Sequence, residues 1–310
     1  MGNIRTKCVT MKISCTPVSC LRMFRNGTDQ EAYFAMIAEA GAEGSDLLSP
    51  ESYPWFWRDF EAEKKTVLRR LRDHGLALSG YATANNFAHD DPAAVQANVD
   101  KVLAAIRTAA ELEAPCVRIF GGYHCGCGGG EGMERAHGLE LVRQGLEKVL
   151  PAAEKQGVVL ALENHGRLPG LSAEIEALCR YFDSPSLRVL FDCANFMAFN
   201  MDEIENPLTA YEKLKPWIVH CHVKSWQPEP VGSPRRVEGC IAGEGAVVPL
   251  QQFFYLLEEN NYRGFCSLEY DGGKSSPETE GVPKSLRNLR EMKLAAETVA
   301  ALKRGAKHTN

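Results

Sequence analysis

No apolar run in this 310-residue chain approaches the ~18 residues that a bilayer-spanning helix needs. The opening, MGNIRTKCVTMKISC, lacks the uninterrupted apolar stretch of a signal peptide, so a cytoplasmic protein is expected. Positive charge is not in excess: 35 Lys and Arg against 40 Asp and Glu give a formal charge of −5. That balance offers no electrostatic reason to bind nucleic acid or an anionic membrane, and a small neutral or weakly charged ligand fits better. The Gly-rich turns GxGxxG and GxxxxGKS/T are missing after the first candidate strand, which counts against a nucleotide-binding open sheet. No linker or low-complexity stretch divides the chain, and residues 1–310 are read as one domain.

Cysteine is plentiful, at eleven residues, but the number is odd and the positions are scattered. Cys8, Cys116, Cys193, Cys221 and Cys266 sit inside apolar runs, where a reduced thiol packs as a small hydrophobe. The string HCGCGGGEG at 124–132 has a Cys-x-Cys pair with no second half and reads as a Gly-rich lid rather than a metal loop.

What the chain does contain is a rhythm of short β-like runs alternating with longer stretches of helical period. Strands are expected at 8–14, 44–48, 76–81, 115–121, 158–163, 187–192, 218–224 and 264–269. Most are nearly continuous apolar runs, as in strands buried on both faces. Asp91 before Pro92 predicts a helix start, followed by Val95, Val99, Val102, Ile106 and Ala109 at helical spacing. A second stripe, Leu139, Val142, Leu146 and Val149, closes near Gly157, and a last helix over about 284–303 carries Leu286, Leu289, Ala296, Val299 and Leu302 on its inner side.

Eight strand–helix units permit either a closed barrel or a doubly wound sheet. The polar residues decide between them. Glu163, Asp192, His220, His222 and Glu269 stand at or near the C-terminal ends of four consecutive late strands, and a (β/α)8 TIM barrel of parallel strands with outer helices brings those ends to one mouth. A carboxylate at the end of an apolar strand is costly unless a cation or hydrogen bonds compensate it. One divalent ion would compensate three carboxylates and an imidazole together. An oxygen-rich set with one nitrogen favours Mn²⁺, with Mg²⁺, Co²⁺ or Zn²⁺ as alternatives.

The stretches VRIFGG at 117–122, LENHG at 162–166, FDCAN at 191–195, HCHVK at 220–224, GEG at 243–245 and SLEY at 267–270 together resemble the xylose isomerase-like barrel superfamily, in its sugar phosphate isomerase/epimerase branch. The resemblance implies Glu163, Asp192, His222 and Glu269 as ligands; His222 is preferred to His220 because the family's ligand precedes an x-Lys pair, here Val223-Lys224. It also implies that Glu163 and Glu269 act as acid and base on opposite faces of a sugar, passing a proton through a cis-enediolate. His165, Lys224, Arg118, Asn195 and His220 complete a candidate substrate-binding group. Each has a plainer alternative: a loop histidine bonded to backbone for His165, an ion pair at the mouth for Lys224, and a carboxylate partner for Arg118, whose guanidinium lies within an apolar strand.

The loop SYPWFWRDF, with Tyr53, Trp55, Phe56, Trp57 and Phe60, is expected to anchor itself or a subunit contact rather than stack on sugar. Three positions depart from the family pattern: Asn195 where some epimerases carry histidine, Ser225 where aspartate often follows the lysine, and Val248 where an acidic residue is common. These put the substrate in doubt more than the metal. The leading function is therefore a sugar isomerase or epimerase. A metal-dependent lyase or dehydratase acting on a keto-inositol or a 3-keto-glycoside is the alternative. A DNA-repair endonuclease of the same fold would need more histidine ligands and a basic surface, and a non-enzymatic binding barrel would hold no metal. A homo-oligomer is compatible with the sequence, which fixes no subunit number.

Overall fold

A computed structural model of the protein describes residues 10–122, 133–197, 204–229 and 237–306. The Gly-rich string at 124–132 lies outside the described residues, as do Cys8 and Val9 of the first expected strand. Eight strands form a closed parallel barrel: β1 (Lys12–Cys15), β2 (Gly44–Leu48), β3 (Ala77–Ala82), β4 (Val117–Phe120), β5 (Leu160–Glu163), β6 (Leu187–Asp192), β7 (Ile218–Val223) and β10 (Phe265–Leu268), which pairs back with β1. A short antiparallel hairpin, β8 (Ser225–Pro228) with β9 (Val237–Cys240), is inserted directly after β7, on the side where the strands end. The expected strands coincide with all eight barrel strands but overrun several ends. Pro115, for example, has no N–H for the ladder, and β4 begins two residues later.

Helices fill the outer layer, and local chemistry sets their ends. In α4 (Pro92–Glu111) the Asp91 carboxylate accepts the Ala93 N–H at 2.9 Å, and Val95, Val99, Val102, Ile106 and Ala109 are all buried. In α5 (Arg135–Gln156) the Glu134 carboxylate caps the start, and Gly157 ends the helix at φ 66°, a left-handed conformation that glycine adopts without strain. The last helix, Glu278–Ala306, is longer than expected. Leu286, Leu289 and Ala296 face inward, but Leu302 is 69% exposed. At 3.6 residues per turn Leu302 lies about 200° round from the buried Ala300, so the inward stripe has left it.

The main core lies between barrel and helices. A second, small apolar cluster of Cys116, Ala161 and Leu190 occupies the barrel interior. Two residues further along the same strands stand Arg118, Glu163 and Asp192, which alternation therefore points into the barrel above that cluster. The cysteines described are buried thiols and none of them is disulfide-bonded. Among the described residues no helix is long and apolar enough to cross a membrane.

The outward neighbour of Asp192 is Phe191, fully buried and stacked on Phe253 at 5.4 Å between centroids, with Phe196 at 5.1 Å and Tyr211 at 5.9 Å. Phe191→Ala is expected to lower stability by about 3–5 kcal/mol, read as a lower denaturation midpoint in urea with an unchanged slope.

Candidate functional site

Four strands deliver the candidate ligands. Glu163 is the last residue of β5, Asp192 the last of β6, His222 the fifth residue of β7, and Glu269 follows β10 directly. Asp192 pairs across the ladder with His222, and His222 with Ser267, so register sets their heights. One donor atom from each of Glu163, Asp192, His222 and Glu269 falls within 4.8 Å of all the others. His222 Nδ1 lies 3.0 Å from Glu269 Oε2 and 3.6 Å from Glu163 Oε1. Glu163 and Asp192 are essentially inaccessible, whereas the Glu269 side chain is 20% exposed and forms the open edge.

The backbone presents these groups firmly. Asp192 Oδ1 accepts the N–H groups of Ala194 (2.8 Å) and Asn195 (3.0 Å), leaving Oδ2 toward the mouth, 3.0 Å from Lys224 Nζ. Asn164 straps the ends of β5 and β6 together: its Nδ2 donates to Asp192 O at 2.9 Å and its Oδ1 accepts the Asp192 N–H at 2.8 Å. Asn195 Nδ2 reaches Glu163 Oε1 at 3.3 Å. Asn195 thus holds a candidate ligand carboxylate through its amide.

Cations flank the carboxylates. Lys224 Nζ spans Asp192 Oδ2 and Glu269 Oε2, at 3.0 and 3.3 Å. Arg118 does meet a carboxylate, with Nη1 3.6 Å from Glu163 Oε2, while its Nη2 donates to Tyr53 Oη at 2.6 Å and its plane lies 4.1 Å above the Phe120 ring. His165 packs against the same Phe120 ring, tilted by 32° with 4.3 Å between centroids. The aromatic loop mainly anchors itself: Trp57 Nε1 donates to Leu48 O and Trp55 packs on Phe24, with Tyr53 alone reaching into this arrangement through Arg118.

His220 is not brought to the mouth. Two residues before His222 on β7, it lies one layer deeper, 2% exposed, with Nε2 3.4 Å from Asp46 Oδ1. Asp46, from the middle of β2, was not singled out by the sequence reading, although the cost of a carboxylate within an apolar strand was its available signal. Asp271 was missed as well. It accepts the Trp226 Nε1 hydrogen at 2.7 Å and acts electrostatically on Lys224.

The charges perturb one another strongly. Burial alone would raise the Glu163 pKa, but His222 and Arg118 outweigh it and hold the group down at about 2. Burial raises Asp192 to about 6 against the opposing pull of Lys224. Glu269 is kept well below the carboxylate range: Lys224 and His222 overcome its desolvation. Burial opposes the charged forms of His222 and Lys224, yet the surrounding carboxylates raise both well above their ordinary values. His165 goes the other way; burial lowers it and keeps the imidazole neutral.

The donors suit a divalent cation: three carboxylates and one imidazole converge, Asp192 Oδ2 has no hydrogen bond and is met by the Lys224 ammonium alone, and no thiolate joins the described set. Cys193, beside Asp192, is fully buried among the core residues.

A family profile described as xylose isomerase-like TIM barrel matches residues 34–292. No curated protein matches the chain. Among solved structures, D-psicose 3-epimerase from Clostridium cellulolyticum H10, determined with D-tagatose, superposes with a TM-score of 0.70 at 14% identity, covering 91% of this chain and 99% of that one. The probable 3-DHS dehydratase of petrobactin synthesis from Bacillus anthracis gives 0.66 at 17% identity, with 92% and 98% covered. The apo form of 3-keto-D-glucoside 4-epimerase from E. coli gives 0.62 at 14%, with 89% and 100% covered. Identities this low establish likeness of fold alone. The profile spans most of the chain, and on that ground the protein belongs to the xylose isomerase-like TIM barrel family.

Proposed function

We propose that this protein is a divalent-metal-dependent sugar isomerase or epimerase working by proton transfer beside a carbonyl. The observation that carries the reading is the convergence of Glu163, Asp192, His222 and Glu269 within 4.8 Å at the ends of four adjacent barrel strands, with Arg118 and Lys224 against them. Those four residues would hold the ion, Mn²⁺ in preference to Mg²⁺, Co²⁺ or Zn²⁺. When bound, the ion supplies Lewis-acid polarisation of a carbonyl and acidifies the neighbouring C–H.

The remaining work falls to the chain. Glu163 and Glu269 reach the same space from β5 and from beyond β10, where one would remove the proton and, in an epimerisation, the other would return a proton to the opposite face. Asn195 and Arg118 keep Glu163 turned inward, and Lys224 lies where it can offset negative charge developing on an enediolate oxygen. The epimerase neighbours in the comparison support a sugar-like substrate.

One feature favours a second reading, a lyase or dehydratase. His165 is a neutral, buried imidazole under the field of Glu163 and Glu269; in an elimination it would take up the proton that one of these carboxylates has removed and, as the imidazolium, deliver it to the departing hydroxyl. Its substrate would be a keto-inositol, a 3-keto-glycoside or a compound akin to the 3-DHS named for the Bacillus neighbour.

Elemental analysis of purified protein supplied with Mn²⁺ should find about one ion per chain, as a single catalytic site requires. Uptake of none would end the metal reading. Solvent exchange in D2O, screened over ketoses, keto-inositols and keto-glycosides, should identify a substrate class; Glu163→Gln and Glu269→Gln should each reduce its exchange by about 10²-fold or more. A product that differs from the substrate only by exchanged hydrogen marks the isomerase, and loss of water marks the lyase.

Metal binding should release protons. Without an ion, His222 holds its proton well above the usual histidine range, and Asp192 titrates at about 6. Both must deprotonate to ligate, so Mn²⁺ affinity should rise with pH, by roughly tenfold per unit for each proton displaced. Titration calorimetry in buffers of different ionisation enthalpy counts them. An affinity independent of pH between 5 and 8, a window of about that width around the Asp192 value, would contradict this arrangement.

A further inference from the structure

Beneath the candidate ligands lies a polar layer that the proposed reaction does not use. Asp46 reaches into the barrel from β2 and is 2% exposed. Its Oδ1 accepts the Ser79 hydroxyl at 2.6 Å and its Oδ2 the Ser267 hydroxyl at 2.9 Å, so both oxygens are held from β3 and from β10. A Cβ at Gly80 would stand 3.2 Å from Oδ1, and the bare glycine leaves the carboxylate its room. Against this fixed group come two imidazoles: His222 Nε2 lies 3.5 Å from Oδ2, and His220 Nε2 lies 3.4 Å from Oδ1.

His222 therefore faces carboxylates through both ring nitrogens. Nε2 points down to Asp46, and Nδ1 points up to Glu269 and Glu163. An imidazole that ligates through one nitrogen carries its proton on the other, and a carboxylate at that second nitrogen fixes both tautomer and ring plane. Asp46, His220 and His222 also form a compact group that could itself be taken for an ion site. The chemistry argues otherwise. Neutral imidazole has one lone pair, so His222 cannot serve ions on both sides without becoming an imidazolate, whereas each Asp46 oxygen, already accepting one hydroxyl hydrogen, has a lone pair left for an imidazole N–H.

We propose that Asp46, clamped by Ser79 and Ser267, is the positioning residue that holds the proton of His222 on Nε2 and presents its Nδ1 lone pair to the ion. The proposal rests on the metal reading above. Its parts come from four strands, β2, β3, β7 and β10, so the site's one nitrogen donor is set by a carboxylate from a distant stretch of chain.

The test is Mn²⁺ affinity, measured by electron paramagnetic resonance titration of the full chain, for wild type, Asp46→Asn and the double variant Ser79→Ala/Ser267→Ala. Thermal melting of each metal-free protein is followed alongside. Asp46→Asn is expected to weaken binding by about 10–100-fold, the usual effect of losing such a partner. The serine double variant should weaken it less, because the carboxylate remains but is no longer clamped. If Asp46→Asn does not fold, the double variant carries the test alone. A melting temperature that falls while Mn²⁺ affinity stays at the wild-type value would make Asp46 merely structural and overturn the proposal. Nitrogen-15 spectra of the histidines with Mg²⁺ or Zn²⁺ bound give a second readout: His222 should show a protonated Nε2 in wild type, and a protonated Nδ1 would overturn the assignment. Two ions per chain would mean that the lower group binds metal itself. Failure of the wild type to bind any ion refutes the metal reading, which is distinct from equal affinity in wild type and variants.

Discussion

Carboxylates packed into the interior of a closed barrel lose their hydration and repel one another, and the architecture of this mouth answers that cost residue by residue. Glu163 is met by Arg118, His222 and Asn195; Asp192 by two backbone N–H groups and Lys224; Glu269 by Lys224 and His222. Each cation serves more than one partner, so the charges form one network. The effect of removing any single member will therefore spread, and single substitutions here should not add.

Height within the barrel divides two kinds of chemistry. Cys116, Ala161 and Leu190 fill the interior with apolar bulk, and two residues further along each strand the chain turns to Arg118, Glu163 and Asp192. On β7 the same step separates His220 from His222, which puts one imidazole among the candidate ligands and the other below them against Asp46. The apolar side chains and the buried Asp46 and His220 together fill the layer beneath the charges and leave little room for water, which strengthens the electrostatic interactions above it. The hairpin β8–β9 and the segment after β10 add Trp226 and Asp271 at the rim, where Asp271 adds a negative charge near Lys224.

The order of the barrel strands, the helix start at Asp91 and the helix end at Gly157 were legible because each depends on neighbours a few residues away. So was the gathering of Glu163, Asp192 and Glu269 with a histidine of β7, since a strand end on a parallel barrel has only one place to go, while the choice of His222 over His220 came from the family resemblance. The overrun of the last helix stripe to Leu302 shows the limit of such reading. Periodicity assigns a face, but the length of surface available to pack against depends on the rest of the fold.

By itself the sequence determined which side chains face inward on each strand and which chemistry they bring, because side-chain direction along a strand alternates with every residue. Only the tertiary structure decided what each would meet. Register shifts at Ser45/Asp46 and at Val189/Leu190 alter the alignment of β2 with β3 and of β6 with β7, and no local pattern announces them. They help to bring Asp46 beside Ser79 and Asp192 opposite His222, while Asp46 meets His222 and Tyr53 meets Arg118 only through closure of the barrel and the loop after β2. Alternation fixes direction within one strand, whereas height relative to another strand arises only when the sheet closes, and at this site height is what separates the candidate ligands from the layer that supports them.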